Sequence, residues 1–168
     1  MSTTMDLLDG LIERSQEILA DFPRLEGKKF NVYRYKVPER FDNGVQIKGQ
    51  EETQDSVFPF VVVKPDTGSK KGNVSNQMTV VHFLFGVEND GHHGEGYDDV
   101  LMCIQHVWDA LCEQPVVAKF FKLSNENYEW ALSDDDAETH PYYYGLITVV
   151  FESPTMQYIG GYESGKRY

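Results

Sequence analysis

Between Gly94 and Cys112 the sequence reads GEGYDDVLMCIQHVWDALC, and this stretch limits what the rest of the chain can build. Tyr97, Val100, Leu101, Ile104, Val107, Trp108 and Leu111 recur at the spacing of one helical face. Asp98, Asp99, Gln105 and Asp109 take the other face. Gly94 and Glu95 suit the start, because an acid in the first turn meets the positive end of the helix dipole. Pro115 stops it. The pattern predicts an amphipathic helix that lies on something flat and is buried through Leu101, Ile104, Trp108 and Leu111. Cys103 falls one residue off the stripe and Cys112 at its end; nine residues apart on one helix, they cannot pair. A reducing interior is the simplest setting.

The flat partner is a sheet, because strand-like segments flank the helix on both sides. Lys29 to Val37 alternates Phe30 and Val32 against Asn31, Tyr33 and Tyr35. Val57 to Lys64 (VFPFVVVK) and Met78 to Val87 (MTVVHFLFGV) form an apolar hairpin joined by the turn-rich linker Pro65 to Gln77, with Pro59 pointing to an edge position at its start. Lys119 to Leu123, Tyr128 to Leu132 and Tyr142 to Phe151 read as three further strands, the first two joined tightly through Ser124 to Glu126. A first helix spans residues 4 to 20, with Ser2, Thr3 and Thr4 as available caps, Gly10 as a weak point and Phe22-Pro23 as its end. The predicted class is α+β: a mainly antiparallel sheet, an N-terminal helix and a central amphipathic helix packed on one face.

With 168 residues, of which 40% are hydrophobic, the chain supports one core. We read a single domain over 1–154, with a long polar loop at 38–56, and a tail over 155–168. The loop keeps only Phe41, Val45 and Ile47 as apolar points, with a short β-ribbon expected around Gly44 to Lys48. The tail keeps Tyr158, Ile159 and Tyr162 around Gly160-Gly161. Neither buries enough apolar surface to offset an ordering cost of roughly 1–2 kcal/mol per residue, yet each retains large apolar groups. Both are therefore expected to be partner-binding arms.

Acids number 27 against 15 bases, and 87–140 carries most of the imbalance, with Lys119 and Lys122 as its only bases. Such a surface repels phosphate backbones and argues against a nucleic-acid regulator. No run approaches the ~18 apolar residues of a membrane span, and the N-terminus lacks the basic leader of a secretory signal. His92, His93, Glu95, Asp98 and Asp99 form the one cluster with metal-ligand chemistry, which keeps a small metal-dependent enzyme on the 88–99 loop as the reading of a different class. Adjacent histidines diverge and no H-x-x-x-H or C-x-x-C spacing accompanies them, so a solvated loop is preferred and no cofactor or catalytic residue is assigned. His82 reads as a satisfied core or interface histidine. His106 and His140 have no nucleophile partner at a defensible spacing. Tyr142, Tyr143 and Tyr144 cannot share one core, because neighbouring strand residues face opposite sides. Many aromatics and few catalytic groups favour assembly over catalysis.

The strand FPFVVVKP, the strand MTVVHFLFGV, the helix GYDDVLMCIQHVWDAL and the stretch HPYYYGLITVVFESP followed by YIGGYE together resemble the tail terminators of long-tailed bacteriophages. The order of elements matches that family's α+β fold, over about two thirds of the chain. The resemblance implies a structural protein of the virion: a homo-oligomeric ring, most often a hexamer, stacked on the last ring of the tail tube and joined to neck or connector proteins. It implies no catalytic residues. Assembly would take place in the host cytoplasm, and DNA would pass through the ring without specific binding. In such a ring Asp98, Asp99, Asp134, Asp135 and Asp136 are expected to face the channel, where like charge keeps the polymer from sticking. The long 38–56 loop and the extended tail depart from the family pattern and leave a neighbouring neck or tail-completion protein as the alternative.

Overall fold

The computed structural model describes residues 3–20, 22, 28–38, 57–70, 76–133 and 140–153. Among them lie two helices, α1 (Thr4–Ala20) and α2 (Glu95–Glu113), and six strands. The strands are β1 (Asn31–Arg34), β2 (Phe60–Lys70), β3 (Gln77–Glu88), β4 (Val116–Val117), β5 (Phe121–Leu132) and β6 (Tyr142–Ser153). They form one sheet in the order β1-β2-β3-β6-β5-β4, antiparallel except for the parallel pair β1 and β2. The fold is α+β, as the periodicities predict. No helix among the described residues is long and apolar enough to cross a membrane.

α1 starts on a reciprocal cap. The Thr3 hydroxyl accepts from the Asp6 backbone N–H at 3.3 Å, and the Asp6 carboxylate accepts from the Thr3 N–H at 2.6 Å. The Thr3 N–H, and after it the Thr3 hydroxyl, donate to the Asp6 carboxylate and hold it below its ordinary range. Leu7, Leu8, Leu11 and Leu19 are buried. Gly10 has a positive role: a Cβ there would come within 2.8 Å of Val117 Cγ1, so its absence lets α1 close on β4. One residue earlier, Asp9 pairs with Arg34 of β1. The Arg14 guanidinium donates to the carbonyls of Gln114 (2.7 Å) and Val116 (3.0 Å). α1 thus meets both outer strands of the sheet, which requires the sheet to curl around the helices.

α2 is tied to α1 where His106 Nε2–H donates to the Ile18 carbonyl at 3.0 Å. Its buried line runs through Gly96, Asp99, Val100, Cys103, Ile104, Val107 and Leu111. Of the four positions expected to carry its burial, Ile104 and Leu111 do so, whereas Leu101 and Trp108 are only half-buried. The reason is the fit to β6. Gly96 lies against the Tyr143 ring and Gly145 lies under Val100, with would-be Cβ contacts of 2.0 and 2.3 Å. Close approach along that line draws Cys103 into the core and leaves Trp108 on the flank, stacked on Tyr128 at 3.9 Å.

Several boundaries differ from the sequence expectation. β1 is four residues long, because Tyr35 takes a positive φ of 65° and Lys36 turns back to bond the Arg34 carbonyl. β2 starts after Pro59, lies inside the sheet and runs on to Lys70 through a register shift between Pro65 and Thr67, so Pro65 to Lys70 is strand and not turn. Lys119 to Leu123 and Tyr128 to Leu132 are not two strands. β5 passes through both, absorbing the polar residues between them in a bulge between Leu123 and Tyr128. The two-residue β4 carries no readable pattern.

Candidate interaction surface

Both helices cover one face of the sheet. Val61, Val63, Val81, Phe83, Phe85, Ile147, Val149 and Phe151 point to that side and are fully buried. Their alternates make a second face, which the register arranges in rows. At one end Phe60, Gly86 and Tyr144 stand side by side on β2, β3 and β6. Gly86 makes room for the Phe60 ring, which a Cβ would approach to 2.3 Å. Phe58 stacks on Tyr142 with ring centroids 4.7 Å apart, and Tyr33 of β1 joins from the edge at 6.3 Å from Phe60. Burial raises the Tyr144 phenol above its ordinary range, with the neighbouring Tyr142 adding to it. The next row is aliphatic: Val62, Leu84, Leu146 and Ala131. Leu84 is 36% exposed.

One row further the chemistry changes to Lys64, His82, Thr148 and Glu129. His82 Nε2 lies 3.1 Å from an Asp66 carboxylate oxygen and Nδ1 lies 2.9 Å from Thr148 Oγ1. A carboxylate only accepts, so Nε2 carries the proton; neutral His82 then accepts from the Thr148 hydroxyl, and charged His82 donates to it. His82 therefore belongs to a half-buried polar row on the helix-free face and not to the core. Carboxylate, imidazole and hydroxyl in line are the parts of a nucleophile relay. Here the hydroxyl sits mid-strand between two paired neighbours, and Thr148 itself is in register with both His82 and Glu129. The row orders the face and sets its polarity. Sequence spacing missed it because Asp66, His82 and Thr148 come together only through strand register.

The loop before α2 is knotted on itself. Gly94 adopts a left-handed φ of 86° before the first turn. The Glu95 carboxylate accepts from the His93 backbone N–H at 2.8 Å and is held below its ordinary range by the backbone N–H groups of Glu95 itself and His93. Asn89 donates to Asp99 at 2.8 Å and accepts from the Gly91 N–H at 2.8 Å. Glu95 and Asp99 thus point into their own loop. No group of three His, Cys, Asp or Glu among the described residues could hold a metal ion.

Of the expected channel-facing acids, Asp98 is exposed, whereas Asp99 is 4% exposed and offers no charge to a surface. It sits on the buried line of α2 because Asn89 satisfies it there. Asp134, Asp135 and Asp136 lie outside the described residues, as do the expected arm residues Phe41, Val45, Ile47, Tyr158, Ile159 and Tyr162. Neither a protein-family model nor a curated protein matches this sequence.

Proposed function

We propose that this chain is a ring-forming virion protein, a phage tail terminator that caps the tail tube and joins it to the neck. The observation that carries the reading is the second sheet face. It is graded from aromatic through aliphatic to charged, with neither helix over it and Leu84 exposed in its middle row, and that is the composition of an assembly surface with an apolar part bordered by a polar row. The resemblance in the strands and central helix supplies the family. The partners of the reading are further copies of the chain, as a hexamer, together with tail-tube and neck or connector proteins. Asp98 and the Asp134 to Asp136 run would supply a channel wall along which DNA passes without specific binding.

The test is tube capping. Purified protein added to growing tail tubes should stop elongation and appear in electron micrographs as one ring at one end, with a native mass of six chains. Unchanged tube growth with bare ends would overturn the assignment.

A further inference from the structure

On the helix side, the two edges of the sheet carry features that fit one another. β5 pairs with β6 along one side, while β4 covers only Phe121 and Lys122 on the other. From Ser124 to Leu132 that outer edge has no strand partner among the described residues. Trp130 stands on it, 51% exposed. Its register partner is Ile147 and its neighbour at i−2 is Tyr128, which stacks on Trp108 of α2, so the indole is on the helix side. At the opposite edge, β1 pairs only with β2 among the described strands. Its Asn31 and Tyr35 N–H groups bond Pro59 and Val63, which turns the N–H groups of Val32 and Arg34 away from β2. Between this edge and the last turns of α1 runs a groove of about 470 Å³, with Leu19, Ala20, Phe30 and Val32 as its apolar lining and Lys29 beside them.

We propose that copies of the chain join head to tail by seating Trp130 and the outer edge of β5 in the α1–β1 groove of the next copy. The proposal rests on the ring reading above and names the contact that would build the ring. Three observations carry it. Knob and groove lie on the same side of the sheet at opposite edges, so one translation and rotation brings them together without crossing either face. The charges also match. Residues 28–38 hold Lys28, Lys29 and Lys36 and no acid, beside Arg34, which Asp9 of the same chain already pairs, while the edge 123–133 holds Glu126 and, turned to the helix-free side, Glu129, and no base. In a chain of net charge −12, self-association needs a place where the repulsion reverses locally, and this pair of edges provides one. Finally, the contact is heterologous: a surface meets a different surface on the next copy, which is the kind of interface that closes into rings. A half-exposed tryptophan is also the side chain most often found at the centre of such contacts.

The experiment compares native masses and sedimentation of four samples at matched concentration. Trp130→Ala keeps the groove and loses the knob. Ala20→Trp keeps the knob and fills the groove from an exposed helix position. Wild type should form rings, and each variant should associate at least tenfold more weakly. An equimolar mixture of the two should form 1:1 dimers and stop there, because it contains one working contact and no second. Thermal midpoints identify a variant that has lost its fold. In that event the charge exchange replaces it: Lys29→Glu and Glu126→Lys should each weaken assembly alone and restore it when mixed. Wild-type rings with both variants assembling normally would overturn the contact and leave the ring reading standing, as would failure of the mixture to dimerise. A wild-type protein that stays monomeric at every concentration would overturn both.

Discussion

The two faces of this sheet are made from the same strands, residue by residue in alternation, and do different work. On the helix side the rows are apolar apart from the buried Thr79 beside Phe151, and their central side chains have no exposure at all. On the other side the rows change character every two residues, from Phe60 and Tyr144 through Leu84 and Leu146 to His82 and Thr148. A face that only has to be dry can repeat Val and Phe. A face that has to meet something specific needs a sequence of different chemistries at fixed spacing. The contrast separates residues that hold the fold from a face where the exposed Leu84 is available for recognition, although Phe60 and Val62 beside it are buried.

The sharpest way to break this comparison is to truncate neighbours across it. Phe83→Ala, in the helix-side core, should lower unfolding free energy by about 3–5 kcal/mol. Leu84→Ala, one residue on and 36% exposed, should cost about 1 kcal/mol, since only part of its surface leaves water on folding. Equal losses in urea titrations would mean that the second face is a core too.

A smaller effect comes from adding a methyl group at a glycine on each side. Gly145→Ala drives a Cβ to 2.3 Å from Val100 Cγ1, a short branched side chain fixed on α2, and should cost about 1–3 kcal/mol. Gly86→Ala meets the Phe60 ring at the same distance, but that ring lies on the helix-free face, where its neighbours are the Tyr33, Phe58 and Tyr144 rings and not a helix. Its cost should be the lower of the two, read from the same denaturation midpoints. The reverse order would place the rigid packing on the wrong face.

The smallest effect concerns how α2 is held over the helix side. The Glu95 carboxyl is depressed in the folded chain, so it contributes stability that is complete above the ordinary glutamate range and lost as pH falls through the depressed folded value. Glu95→Gln should therefore lower stability at neutral pH and flatten its dependence on pH at the acid end. Parallel acid limbs for the two proteins would show that the carboxylate does not lock the loop.

Much of this architecture is legible in the sequence because it is periodic. The threefold-and-fourfold spacing from Tyr97 to Leu111 and the alternation in MTVVHFLFGV declare a helix and a strand without reference to anything else. The three tyrosines 142 to 144 already imply a sheet with two different faces, and the structure has Tyr143 buried on the helix side with Tyr142 and Tyr144 opposite. Reading failed where a local signal was overridden. Pro65 to Lys70 has turn chemistry but continues β2, because β3 offers it a ladder as far as Gln77. Asp99 has the polarity of a surface residue but sits in the buried line, because Asn89, ten residues away, satisfies it.

Both helices, the strands of the apolar hairpin and the last strand, the α+β class and the existence of a dry helix face follow from the sequence alone, since each depends on spacing within short segments. Tertiary structure alone decided which meridian of α2 is buried, that α1 spans both sheet edges, and that Asp66, His82 and Thr148 share a row. It also set Trp130 and the α1–β1 groove on the same side of opposite edges. Each of these depends on register, on the room left by Gly10, Gly96 and Gly145, or on the curl of the sheet, and those are properties of pairs of distant segments that no single segment encodes.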